Sequence, residues 1–220
     1  MKDLRSIKGK YYIQRLIEEG EHEHQDFKFA VNDARKIARS LSAFANNDGG
    51  RLLIGVKDNG NIAGIRNEED IYVIEQAADM YCSPPQPLQV DVFTTEGGLK
   101  VVRVEIARAP RRPVMVREEK GVLKAYYRVK DENIVADSLM VKAWRYKESS
   151  VTPSLISLDG AERSLLEILE SGMTDVGTFM RHAHISRTRA EDIVVRLHAM
   201  GLVTFTYSDG TFRLIGSDHP

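Results

Sequence analysis

The chain has 220 residues, 42% hydrophobic and 29% charged, with 31 Lys and Arg against 32 Asp and Glu for a net charge of -1. This balance suits a globular protein with a real core, in one large domain or two small ones, and excludes a polycation that coats nucleic acid through a global field. A single cysteine, Cys82, excludes an internal disulfide framework and a multi-cysteine zinc site.

The first residues, Met1-Lys2-Asp3, are charged and no apolar h-region follows. No apolar run approaches the roughly 20 residues needed to span a bilayer, so no membrane association is expected and the chain reads as cytoplasmic. Tyr12 and Leu16 predict a helix over 11–19 that Gly20 ends. An acidic lead-in, Glu21-His22-Glu23-His24, precedes a strand over 25–30. Ile37, Leu41 and Phe44 predict a helix over 32–46 with Asn32 as N-cap, stopped by Asn47-Asp48-Gly49-Gly50. The run RLLIGV at 51–56 has the composition of a strand buried on both faces. A turn at Asp58-Asn59-Gly60-Asn61 leads to another strand from 62 to 65.

Asn67-Glu68-Glu69-Asp70 starts a helix that runs to about 81, with Ile71, Ile74 and Ala78 on one side. Ser83-Pro84-Pro85-Gln86-Pro87 breaks it. Two hairpins follow. One joins 88–94 to 99–107 across Glu96-Gly97-Gly98, and the other joins 114–117 to 122–129 across Glu118-Glu119-Lys120-Gly121. Pro110-Arg111-Arg112-Pro113 links them. A closing helix over 137–147 carries Trp144. The expected fold is α+β, a mixed sheet of about five or six strands with flanking helices, in a domain over 1–147.

Residues 148–154 are polar and aperiodic and form the expected linker. The second domain, 155–220, has helices over 160–170, 174–181 and 186–200, then strands over 202–207 and 211–215 joined by Ser208-Asp209-Gly210. Thr174, Asp175 and Ser186 are its N-cap candidates and Gly201 its stop signal. Three helices and a hairpin look like a winged helix-turn-helix, whose third helix enters the major groove.

The stretch from Glu21 to Asp58 resembles the Schlafen AlbA-2 domain, a family linked to nucleic-acid binding. The matching residues are Glu21, Asp26, Phe27 and Lys28 (E-x-x-x-x-D-F-K), Ser42 to Gly50 (S-A-F-A-N-x-x-G-G) and Leu53 to Asp58 (L-I-G-V-x-D). A later match, R-x-K-D-E-N, runs from Arg128 to Asn133, after Arg112-Pro113. Together they cover about two thirds of the chain.

Carboxylates that converge on one spot can hold a divalent cation, which activates water and neutralises phosphate. Glu21, Asp26 and Asp58 are the candidates. The resemblance implies the same three, because some relatives are metal-dependent ribonucleases that use acids at those positions. Asp26 departs from the usual Glu there. Residues five apart in a straight strand point to opposite faces, so Glu21 must lie on the loop before the strand to share a site with Asp26. The plainer alternative is an acidic loop, a surface ion pair and a turn residue. Lys28 shares a face with Asp26, where it orients that acid or binds phosphate. His22 and His24 suit metal ligation only with further partners. Asn47 to Gly50 suits a helix stop better than a phosphate cradle, since it precedes a strand instead of opening a helix.

Arg108, Arg111, Arg112, Arg117, Lys120, Lys124, Arg128 and Lys130 form the densest basic region and, on one face, would bind phosphates. In the tail, Arg187, Thr188 and Arg189 occupy the first turn of the third helix, with Arg196 two turns on. Three readings follow. The first is a DNA-binding transcriptional regulator, with DNA favoured over RNA, acting as a homodimer and requiring no cofactor. The second is a metal-dependent ribonuclease using Mg or Mn. The third is a non-catalytic protein-interaction module.

Overall fold

A computed structural model of the chain describes residues 7–8, 10–65, 69–148 and 159–217. It divides into two compact units, with the boundary between Ala136 and Asp137.

The first unit runs β1 (Ile7–Lys8), α1 (Lys10–Glu19), β2 (Gln25–Lys28), α2 (Ala34–Asn46), β3 (Gly50–Ile54), α3 (Glu69–Gln76) with a wider π turn at Ala77–Tyr81, β4 (Cys82–Ser83), β5 (Gln89–Thr94), β6 (Lys100–Ile106), β7 (Met115–Arg117), β8 (Leu123–Val129) and β9 (Glu132–Val135). The class is α+β as expected, but the strands build two sheets. The first has the order β1-β5-β6-β3-β2 and the second β4-β7-β8-β9. β2 and β3 are parallel, joined by the α2 crossover, while β6 pairs antiparallel with both β3 and β5. The link through Pro110 and Pro113 separates β6 from β7, because proline supplies no ladder donor.

α2 is buried between the sheets. Ile37, Leu41 and Phe44 share one core with Leu52, Ile54, Val102 and Val104 of the first sheet and with Val116 and Tyr126 of the second. On the other face of the first sheet, Ile13 and Leu16 of α1 pack with Phe27, Leu53 and Val101. β3 is therefore buried on both faces, as its unbroken apolar run implies. The N-cap of α2 is Asp33, one residue later than expected, and its carboxylate accepts from the amides of Arg35 and Lys36. Gly49 has φ +83, and a Cβ there would sit 2.8 Å from the Ile106 carbonyl oxygen, so close packing demands this glycine. The expected strand over 62–65 is reduced to one bridge, Val56 to Ile62. The expected helix start at Asn67-Glu68 lies outside the described residues.

The second unit contains α4 (Ser138–Glu148), α5 (Gly160–Glu170), α6 (Val176–Ala183), α7 (Arg187–Ala199), β10 (Val203–Ser208) and β11 (Thr211–Gly216). α4 was expected to close the first domain at 147. Instead Leu139 and Ala143, one helical turn apart, enter a core with Leu165, Phe179, Ile193 and Leu214, and the boundary falls eleven residues earlier, after Ala136. The expected linker lies outside the described residues apart from its helical first residue, Glu148. Asp159 caps α5 in a capping box with Glu162, Asp175 caps α6, and Ser186 caps α7. The β10–β11 hairpin closes through Asp209 and Gly210, both at positive φ. Leu214 also bridges to Thr174, ahead of α6. Among the described residues no helix is long and apolar enough to cross a membrane.

Signature cluster and candidate nucleic-acid interface

β2 is an edge strand, and its outward backbone groups are exposed to pairing unless something covers them. Side chains cover them here. The Phe27 amide donates to Glu21 Oε1 at 2.8 Å, and Lys28 Nζ donates to the Phe27 carbonyl at 2.9 Å. Arg128 donates to the Gln25 carbonyl at 3.2 Å and to that of His22 at 3.4 Å. Gly20, at φ +73, places Glu21 on the loop before the strand, where it reaches back.

Asp26 is buried behind that edge. It accepts from Ser40 Oγ at 3.1 Å, and it pairs with Lys28 at 2.7 Å and Arg128 at 3.4 Å. Burial alone would raise its pKa, but the hydrogen bond with Glu21 and the charges of Lys28 and Arg128 outweigh burial and hold it below the usual carboxylate range. Glu21 moves the other way, pushed up first by burial and then by its bond to Asp26. The shared proton therefore belongs on Glu21. Asp26 contributes stability above pH about 3.8, lost as acid titrates it. Glu21 contributes below pH about 4.5, and that part fades as pH rises through its elevated folded value. Gln at position 21 keeps a donor toward Asp26 at every pH. Glu21→Gln is thus expected to be at least as stable as wild type at pH 7, with a smaller advantage at pH 5. Glu21→Ala should lose about 1–3 kcal/mol by orphaning the Phe27 amide. Urea unfolding at the two pH values checks both, and a Gln variant weaker than Ala would refute the proton placement.

The predicted cation site is not assembled. Glu21 and Asp26 meet, but Asp26 already faces two cations. Asp58 lies on an exposed turn beyond Ile54, whereas Asp26 sits opposite Leu52 in the register. Among the described residues no group of three His, Cys, Asp or Glu could hold a metal ion. The histidines make local bonds: His24 Nδ1 contacts the Gly49 carbonyl at 3.1 Å, and His22 Nδ1 accepts from the His24 amide.

Arg128 was a candidate phosphate ligand, and here the structure corrects the sequence. It is 1% exposed, its guanidinium also donates to Asn133 Oδ1, and it lies 5.2 Å from the centre of the Phe44 ring. Arg112 is half-buried and donates to the Asn46 carbonyl at 2.8 Å. Arg111 and Arg117 are exposed, and neither pairs with an acid among the described residues. Nearby Glu118 is gripped by both arms of Arg39 at 2.8 and 2.7 Å and by the Tyr126 hydroxyl, which together hold its pKa down to about 2. One of the two acids that interrupt the basic region is thus neutralised by a distant arginine.

Composition and charge pointed past the residues that fasten α2 to the second sheet. Asn46 Nδ2 donates to the Val114 and Tyr126 carbonyls, and its Oδ1 accepts from the Val114 amide. Asn47 exchanges two bonds with the Arg128 backbone, as a neighbouring strand would. Ser42 Oγ donates to the Val114 carbonyl and accepts from the Tyr126 amide. The available signal was Ser42 and Asn46, two polar residues four apart on the buried face of α2, with Asn47 directly after it.

In the second unit, α6 and α7 are separated by His184, Ile185 and Ser186, with His184 in the left-handed region. Arg187, Thr188 and Arg189 are exposed in the first turn of α7. Arg187 pairs with Glu191 at 2.8 Å, Arg189 with Asp159 at 2.9 Å and Arg196 with Glu162 at 2.6 Å.

This chain is a two-unit α+β protein whose first unit gathers Glu21, Lys28 and Arg128 around the buried Asp26 at the edge of the first sheet. Residues 21–137 match the family model Schlafen, AlbA_2, and the chain belongs to that family. No functionally curated protein matches it. Two solved structures are distantly similar. The crystal structure of the DIP2311 protein from Corynebacterium diphtheriae is 18% identical over 68% of this chain, at a TM-score of 0.43. This chain covers only 34% of that protein. The N-terminal domain of a RecG-related protein from Nitrosomonas europaea, solved by solution NMR, is 20% identical over 61% of this chain and 96% of its own, at a TM-score of 0.40.

Proposed function

We propose that this protein binds nucleic acid, duplex DNA first, and serves as a transcriptional regulator whose second unit is a winged helix-turn-helix. The supporting observation is the exposed first turn of α7, which presents Arg187, Thr188 and Arg189 after a three-residue turn from α6. First-turn side chains of a recognition helix reach base edges and phosphates. In this reading the β10–β11 hairpin, extended by the Thr174 bridge, is the wing.

The ion pairs of α7 do not oppose this reading. Arg187 and Arg189 have side chains 73% and 59% exposed, and pairs this open contribute only about 0–1 kcal/mol. A phosphate displaces such a carboxylate easily, whereas Arg128 is locked in the interior. Arg111 and Arg117 add exposed charge on the first unit, where family membership makes nucleic acid the expected partner. A symmetric pair of chains on a palindromic site is the arrangement such a unit favours.

Fluorescence anisotropy with a labelled duplex, over a salt series, tests the proposal. Wild type should weaken steeply as salt rises. The Arg187→Ala, Arg189→Ala double variant should bind more weakly, with a salt slope shallower by about two. No binding at low salt, or equal affinity and slope in the double variant, would remove the assignment.

A further inference from the structure

A groove of about 450 Å³ runs between α4 and α7 in the second unit, lined by Lys142, Tyr146, Arg189, Asp192, Val195 and Arg196. Lys142 and Tyr146 lie one turn apart on α4. Arg189, Asp192 and Arg196 follow at helical spacing along one face of α7. Three cations thus line the groove against one carboxylate. Lys142 pairs with Asp192 at 2.8 Å inside it and with Glu191 at 3.8 Å. The partners of Arg189 and Arg196 are Asp159 and Glu162, which do not line it. The walls between the charges are Val195, the Tyr146 ring and the alkyl stems of the basic residues. The volume lies in the range of small-molecule sites, and an apolar body with a few convergent charges is their usual make-up.

We propose that this groove binds a small organic anion, a phosphate or carboxylate carried on an apolar body, and that its occupant competes with DNA for Arg189. Arg189 is the hinge of the idea, since it lines the groove and also belongs to the exposed first turn of α7. An anion in the groove draws that guanidinium inward and removes a contact from the duplex. The competition rests on the DNA-binding reading; the site itself does not.

Phenyl phosphate is the probe, titrated calorimetrically into the full chain without DNA. It should bind saturably, and inorganic phosphate should bind several-fold more weakly because it offers nothing to Tyr146 and Val195. Lys142→Gln should weaken phenyl phosphate about tenfold, the size of one charge-assisted hydrogen bond. Asp192→Asn, which removes the groove's own negative charge, should tighten it. Opposite responses from two neighbouring variants separate a binding site from a folding defect. No binding, or equal binding by wild type and both variants, overturns the site. Equal binding of the two phosphates overturns its apolar half. In the duplex assay, phenyl phosphate should weaken DNA binding more than sodium chloride of the same ionic strength, and an equal effect overturns the competition. A wild-type chain that binds phenyl phosphate but no duplex retires the DNA reading and the competition together, and upholds the site.

Discussion

Arg128→Met should destabilise the first unit by about 3–5 kcal/mol, the range for removing one partner of a buried ion pair. Methionine keeps an unbranched stem against Phe44, so most of the loss comes from polar groups. Asp26, 3% exposed, would retain Lys28 and Ser40 but lose the cation on its other oxygen. The Gln25 carbonyl would lose a cap on the edge of the first sheet, and Asn133 Oδ1 would lose its donor. The charge on Asp26 drives the penalty, so the Asp26→Asn, Arg128→Met double variant should be more stable than the two single losses summed, by about 0.5–3 kcal/mol. Urea unfolding of the four proteins gives this cycle. A single-variant loss below about 1 kcal/mol would mean Arg128 acts as an ordinary surface arginine. DNA binding measured where the variant remains folded should match wild type, because this guanidinium never reaches solvent.

The fold was largely legible because its strongest signals are periodic. The apolar run after Gly50 announced a strand with two covered faces, and Ser186, Asp175 and Gly201 marked helix ends through local backbone chemistry. β4 and β9 were not legible: β4 is only two residues long, and β9 reads Glu-Asn-Ile-Val, two polar residues then two apolar ones, with no alternation. The place of α4 was also hidden. An amphipathic helix announces that it has a buried side without naming the core that buries it, and here Leu139 and Ala143 belong to the second. At the candidate site the motif residues were found but given the wrong neighbours. Nothing in the spacing of Glu21, Asp26 and Asp58 fixes the distance between loop, strand and turn. Arg128 looked like one cation in a basic run, yet it lies on the α2 side of β8 and turns inward. Its neighbours Arg111 and Arg117 stay outside, so one stretch of sequence yields both a structural arginine and two open ones. The α7 arginines were located correctly as first-turn residues. Arg187 pairs within α7 with Glu191, but the partners of Arg189 and Arg196, Asp159 at the cap of α5 and Glu162 within it, were visible only once the helices had packed.

Asn46→Ala should cost the first unit about 3–5 kcal/mol, although it deletes no charge and little apolar surface. Asn46 is fully buried at the last turn of α2, facing the second sheet. Its amide stands in for a strand that the sheet lacks. Nδ2 donates to Val114 at 3.0 Å and to Tyr126 at 2.9 Å, and Oδ1 accepts from the Val114 amide at 2.8 Å. Alanine leaves the Val114 amide and the Tyr126 carbonyl short of these partners in a site closed to water, and each orphaned buried group costs about 1–3 kcal/mol. The Val114 carbonyl suffers less, because Ser42 Oγ still donates to it. Ser42→Ala should therefore cost less than Asn46→Ala, and the pair should be non-additive because they share Val114 and Tyr126. Asn46→Asp gives no relief, since it turns a donor toward two carbonyls into an acceptor and buries a charge. Denaturant midpoints rank the three variants. Native-state hydrogen exchange at the Val114 amide isolates the mechanism, because protection there should collapse in Asn46→Ala while amides in β3, on the other sheet, keep theirs relative to global stability. A Val114 amide that stays as protected as β3 would show that α2 is held against the second sheet by apolar packing alone.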